Sequence, residues 1–170
     1  KNGEDYLFHL IDTPGHVDFS AEMERTLQVL DYAFLVISGA DGVQGHTKTL
    51  WNLLEKYHIP VFIFVNKMDQ PGTDKAAVLK ELRDNFGDAC VDFGDETATD
   101  FQENIAVCDE AVLEEFLNDG CVSIPVIQEL IKQRKLFPCY FGSALKSIGI
   151  KEFIKGLETY IKASDYPTEF

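Results

Sequence analysis

Four short stretches of this chain are apolar almost without interruption: residues 6–11 (YLFHLI), 32–38 (YAFLVIS), 60–65 (PVFIFV) and 136–141 (LFPCYF). A strand that fails to alternate apolar with polar is buried on both faces. Such strands belong to a parallel sheet covered by helices on each side. The segments between them carry the helical period. Phe19, Met23, Leu27 and Leu30 form one stripe, and Leu50, Trp51, Leu54 and Tyr57 a second. Val78, Leu79, Leu82 and Phe86 form a third behind a Pro71-Gly72-Thr73 start signal, and Ile150, Phe153, Ile154, Leu157 and Ile161 a last. Strand and helix alternate, so the expected class is α/β: a doubly wound, mostly parallel sheet with helices on both faces.

Residues 88–135 interrupt this rhythm. They read as a short strand near residues 89–93, an acidic segment, and two helices, and are expected to form a small, mainly helical insertion between two strands of the sheet. The first helix should cover about residues 104–118 and stop at Gly120. The second should start behind Ser123 with Pro125 in its first turn.

In open α/β sheets ligands bind beyond the carboxyl ends of the strands, so the residues after each run carry the functional information. After residues 6–11 come Asp12-Thr13-Pro14-Gly15-His16. Asp12 suits water-mediated Mg²⁺, which keeps its waters and takes few protein carboxylates. Gly15 offers an unobstructed backbone N–H to a γ-phosphate, and His16 could orient an attacking water. After the third run come Asn66-Lys67-Met68-Asp69. The Asp69 carboxylate can accept two parallel hydrogen bonds from the N1–H and N2–H of guanine, a pair adenine lacks. The Lys67 stem can lie over a purine ring, and Asn66 can tie its loop to neighbouring loops. After the fourth run, Gly142-Ser143-Ala144 lets backbone approach a ligand closely, and the N–H of Ser143 or Ala144 could meet guanine O6. After the second, Ser38-Gly39-Ala40-Asp41-Gly42 is also rich in glycine.

Composition narrows the partners. With 15 Lys+Arg against 29 Asp+Glu the formal net charge is −14, which argues against a basic face that grips nucleic-acid backbone. No apolar run reaches transmembrane length, so no membrane partner is expected. Cys90, Cys108, Cys121 and Cys139 form no C-x-x-C pair. They read as buried or incidental thiols of a reducing cytosol, which points to a cytoplasmic location.

The order and spacing of these loops carry a resemblance. The segments DTPGHVDFSAEMERTLQVLDYAFLVISGADGVQGHT and IPVFIFVNKMDQ resemble the G domain of translational GTPases of the elongation factor G class, a P-loop-NTPase-type fold. The chain is most similar to the tetracycline-resistance ribosomal-protection proteins, through Gln70-Pro71-Gly72 after the Asn-Lys-x-Asp motif and Ile148-Gly149-Ile150 after Gly142-Ser143-Ala144. The resemblance implies GTP/GDP and Mg²⁺ as ligands and the ribosome as partner of the full-length protein. It implies Asp12 and Gly15 as the magnesium- and γ-phosphate-sensing pair and His16 as the catalytic residue. Asn66, Lys67, Asp69, Ser143 and Ala144 would form the guanine pocket. No Gly-Lys-Ser or Gly-Lys-Thr occurs in the chain, so the phosphate loop, the first two strands and the first helix are expected to be missing. In the family the missing first strand lies between those matching residues 6–11 and 32–38. Either these two strands close up directly, or a strand of another chain fills the gap by self-association. Two other readings compete: a truncated, non-hydrolysing interaction module, and an α/β metal hydrolase using Asp12, His16 and Asp18.

Overall fold

The computed structural model describes residues 8–12 and 21–162, with side chains from Glu24 onward in the second range. Four strands, β1 (Ala33–Ser38), β2 (Val61–Asn66), β3 (Cys90–Asp92) and β4 (Phe137–Phe141), form one sheet in the order β1-β2-β4-β3. Every pairing is parallel, with Ala33 opposite Val61, Ile63 opposite Cys139 and Cys90 opposite Phe137. The helices are α1 (Ala21–Leu27), α2 (Gly45–Lys56), α3 (Lys75–Phe86), α4 (Phe101–Ala106), α5 (Glu110–Asp119), α6 (Ile124–Lys132) and α7 (Ile150–Tyr160).

The central strand shows why its sequence does not alternate. Val61, Ile63 and Val65 face one core, with Trp51 and Leu54 of α2 and Val78, Leu82 and Phe86 of α3. Phe62 and Phe64 face a second core, with Ile105 of α4, Val112 of α5, Ile127 and Ile131 of α6, and Tyr160 of α7. Residues 61–65 are all buried, because a sheet covered on both faces leaves no side for polar residues. Residues 88–135 join this architecture at both levels: β3 hydrogen-bonds to β4, and α4, α5 and α6 fill the second core.

Local chemistry sets the helix boundaries. The Asp74 carboxylate accepts from the Ala77 N–H at 2.8 Å and caps α3. The helix expected over residues 104–118 is two helices, α4 and α5. The break falls at Asp109, whose side chain accepts from the N–H groups of Ala111 and Val112. A side chain that satisfies those donors starts a new helix instead of continuing the old one. Gly120, with φ 74°, ends α5, and Ser123 and Pro125 open α6 as anticipated.

Residues 6–11 are a correction. Residues 8–12 carry no strand, and Phe8, Leu10 and Ile11 are exposed; residues 6 and 7 lie outside the described residues. A strand needs a hydrogen-bonding neighbour, and this run has none among the described residues. Among the described residues β1 is therefore an edge, and residues 8–11 do not pair with it. Val36 on this edge strand is 62 % exposed, whereas its register partner Phe64 in β2 is buried.

Candidate functional site

The carboxyl ends of β2 and β4 are neighbours in the sheet, so the loops that follow them meet. Asn66, the last residue of β2, joins them. Its side-chain Oδ1 accepts from the Lys67 N–H at 2.8 Å and, across the sheet, from the Ala144 N–H at 2.9 Å. The Met68 N–H donates to the Gly142 carbonyl at 2.9 Å. The Thr73 hydroxyl donates to the Met68 carbonyl at 2.8 Å. Lys67 sits at φ 62°, the left-handed region that costs an L-residue about 1 kcal/mol or more. Backbone held in such a state by surrounding bonds is a common mark of a ligand-binding loop.

Asp69 stands beside this clamp. The Ser143 hydroxyl hydrogen-bonds to its carboxylate, and Lys146 Nζ lies 3.2 Å from its Oδ2. These two contacts, the hydroxyl first, hold its carboxyl below the usual carboxylate range. Asp69 is therefore anionic at neutral pH and fixed in place as an acceptor.

The glycines around the site have structural duties. A Cβ on Gly142 would collide with the Ile148 carbonyl oxygen. The turn needs that approach because Ser143 and Ile148 exchange N–H···O bonds of 3.0 Å each. Gly39 is equally crowded by Met68 of the neighbouring loop, its Cβ position lying 2.5 Å from the Met68 sulfur. The glycine-rich stretch after β1 thus packs against the loop after β2. Its Val43 N–H is held by Glu81 of α3 at 2.8 Å.

One expectation needs refinement. The Ser143 N–H donates to Ile148 and the Ala144 N–H to Asn66, so both amides named for guanine O6 are engaged within the protein. Either must give up or share its bond to meet a base. Lys146 closes the loop after β4 and receives no role from the sequence alone. Its spacing after Ser143-Ala144 is visible in the sequence, but its contact with Asp69 arises only when the two loops come together.

The other end of the expected site is less complete. Asp12 is exposed and outside regular structure. Gly15, His16 and Asp18 lie outside the described residues. Among the described residues no group of three or more His, Cys, Asp or Glu side chains could hold a metal ion. Asp12 alone among the described residues does not fix a magnesium ion.

Comparison with known proteins decides the family. The model of the elongation factor Tu GTP-binding domain matches residues 2–163. The chain belongs to that GTP-binding domain family. It is 35% identical over 167 residues to the tetracycline resistance protein TetS of Listeria monocytogenes, with 89% of this chain and 26% of that protein covered. It is 36% identical over 158 residues to TetW of Butyrivibrio fibrisolvens, covering 84% of this chain and 25% of that protein. The chain thus spans about a quarter of the length of these relatives. The crystal structure of ttk003000868 from Thermus thermophilus has the same fold, with a TM-score of 0.73 at 21% identity over 89% of this chain and 30% of that one.

Within this GTP-binding domain the best-built region is therefore the junction of the β2 and β4 loops. It offers a fixed anionic fork, a lysine stem on a strained backbone and the exposed Ala144 and Leu145. That is the chemistry of a site for a flat, hydrogen-bonding ring. No helix among the described residues is long and apolar enough to cross a membrane.

Proposed function

We propose that the loops after β2 and β4 form the guanine-recognising half of a nucleotide site, in a protein that hydrolyses GTP on the ribosome. The observation that carries the reading is the Asn66 clamp: one side-chain oxygen binds an amide from each loop and thereby sets Asp69 beside Ser143. Asp69 then accepts from guanine N1–H and N2–H, and Lys67 covers the ring. Adenine has no donor pair in that position, so the carboxylate discriminates between the two purines. Likeness to the elongation factor Tu domain and to TetS and TetW supports GTP/GDP as ligand, Mg²⁺ as its companion and a cytoplasmic, ribosome-bound setting for the full-length protein.

On this reading Asp12, Gly15 and His16 would serve the phosphate side: Asp12 would hold a magnesium ion through its water, Gly15 would meet the γ-phosphate and His16 would orient the attacking water. When bound, the ion would neutralise the developing phosphate charge. The 170 residues contain no Gly-Lys-Ser or Gly-Lys-Thr phosphate loop, and the amides and lysine of such a loop supply much of the charge stabilisation in phosphoryl transfer. This chain by itself therefore binds GDP or GTP weakly and does not hydrolyse GTP.

Titration with guanosine and adenosine, followed by amide chemical shifts in the two loops, tests the base reading. Guanosine is expected to shift residues 66–69 and 143–146, and Asp69→Ala to abolish the preference. Equal responses to both nucleosides would end it. Residues 88–135 are proposed as an insertion within this domain. The β1 edge, unpaired among the described residues, also supports strand-mediated self-association of the chain; a strict monomer by sedimentation at high concentration refutes that.

A further inference from the structure

Lys146 occupies the acceptor that the base is proposed to use. Its Nζ lies 3.2 Å from Asp69 Oδ2. The lysine sits in the turn whose ends are tied by the Ser143–Ile148 bond pair, and its own N–H donates to the Ser143 carbonyl at 3.2 Å. Its backbone is thus anchored within reach of Asp69, while its side chain is 56% exposed and can swing into solvent. The Asp69 side chain is 21% exposed, and the ammonium stands against its Oδ2.

Resting on the guanine reading above, we propose that Lys146 is a specificity-determining latch: in the nucleotide-free protein it engages one oxygen of the Asp69 carboxylate and competes there with the second donor of guanine. The physical reasoning is geometric. Guanine presents two parallel N–H donors and needs both carboxylate oxygens. Hypoxanthine, the base of inosine, lacks the N2 amine and needs only one. With the ammonium on Oδ2 and the Ser143 hydroxyl on the same carboxylate, a lone-pair site for a single N1–H is left on the other oxygen, whereas the second donor of guanine meets the ammonium. Each carboxylate oxygen has two lone-pair sites, and exposed lysine–carboxylate pairs are weak. The latch therefore tunes affinity and does not block it. Its effect on guanosine should be about threefold, within the range measured for such pairs.

The experiment compares the chain with its Lys146→Met and Lys146→Arg variants. Each is titrated with guanosine and with inosine and followed by amide shifts. Lys146→Met is expected to tighten guanosine about threefold and leave inosine unchanged, and Lys146→Arg to behave like the parent. Equal changes for both nucleosides, or none, overturn the latch, because a structural role for Lys146 would not distinguish the N2 amine. A second measurement needs no nucleotide: the ¹³C shift of the Asp69 carboxyl against pH. The groups facing it are the Ser143 hydroxyl and Lys146. Its midpoint should rise in Lys146→Met, and an unchanged midpoint refutes the contact itself. Failure of guanosine to bind any variant, with the midpoint shift present, overturns the guanine reading and the competition with it. Guanosine binding without a midpoint shift overturns the latch alone.

Discussion

Replacing Asn66 by alanine tests the clamp that organises the site. The side-chain oxygen accepts two backbone N–H bonds, 2.8 Å from Lys67 and 2.9 Å from Ala144. Each such bond contributes a net ~0.5–1.5 kcal/mol. Lys67 and Ala144 are exposed, so water can replace the lost acceptor and the lower part of the range applies. Together they give ~1–2 kcal/mol, a sizeable share of a typical domain stability of ~5–15 kcal/mol. For a domain of this length each kcal/mol lowers Tm by roughly 2–4 °C. Urea unfolding measures the global loss, and amide hydrogen exchange locates it. Exchange at Ala144 should accelerate beyond the global change, while amides of the buried β2 residues should follow the global change only. Asn66→Asp keeps an acceptor at the same atom and should retain both bonds. If Asn66→Ala unfolds at the parental urea concentration and Ala144 exchanges no faster, the two loops are held together by something other than Asn66.

Lys67→Gly removes the left-handed strain at φ 62° and should raise stability by about 1 kcal/mol, while weakening guanosine binding by loss of the stem; thermal melts and titration read the two effects separately. Burial pushes the Cys108 thiol up to about 11, and Cys90 and Cys139 are buried. At pH 8 a thiol reagent should therefore label exposed Cys121 first, with Cys90 and Cys139 protected until urea unfolds the chain; mass spectrometry of timed samples checks the order. The Lys135 ammonium and the Val112 N–H hold the Asp109 carboxyl below its usual range. A depressed carboxyl contributes stability above its unfolded value, about 3.9, and loses it as pH falls through the folded value. Acid should thus loosen α5 below about pH 4, and Asp109→Asn should reduce the difference between urea midpoints at pH 6 and pH 3. The buried Tyr140 hydroxyl has no hydrogen-bond partner among the described residues, so Tyr140→Phe should leave stability unchanged or raise it by up to about 1 kcal/mol; a clear loss would reveal a partner for that oxygen.

Much of the fold was legible because its determinants are local. Three of the four apolar runs became β1, β2 and β4, and the stripes around Trp51, Val78 and Phe153 became α2, α3 and α7. The exception, residues 6–11, shows the limit of such reading. Its apolar residues satisfy the pattern of a buried strand, yet Leu10 is 79% exposed, because a strand is completed by a neighbour that its own sequence does not contain. The break between α4 and α5 is hidden from periodicity for a smaller reason: apolar spacing runs across Asp109, and the capping bonds that interrupt it compete at single-residue scale.

The sequence alone determined the α/β class, the family, and the chemical types placed after each strand, since periodicity and motif spacing are properties of the linear chain. Tertiary structure decided how those residues are used. Parallel pairing of β2 with β4 brought Asn66 to Ala144 and Lys146 to Asp69, residues 78 and 77 positions apart in the chain. It also engaged the Ala144 amide with Asn66, while the turn from Ser143 to Ile148 took up the Ser143 amide and set the tight packing at Gly142. Hydrogen bonds and ion pairs act over about 3–4 Å, and only the folded sheet brings such distant residues within that reach.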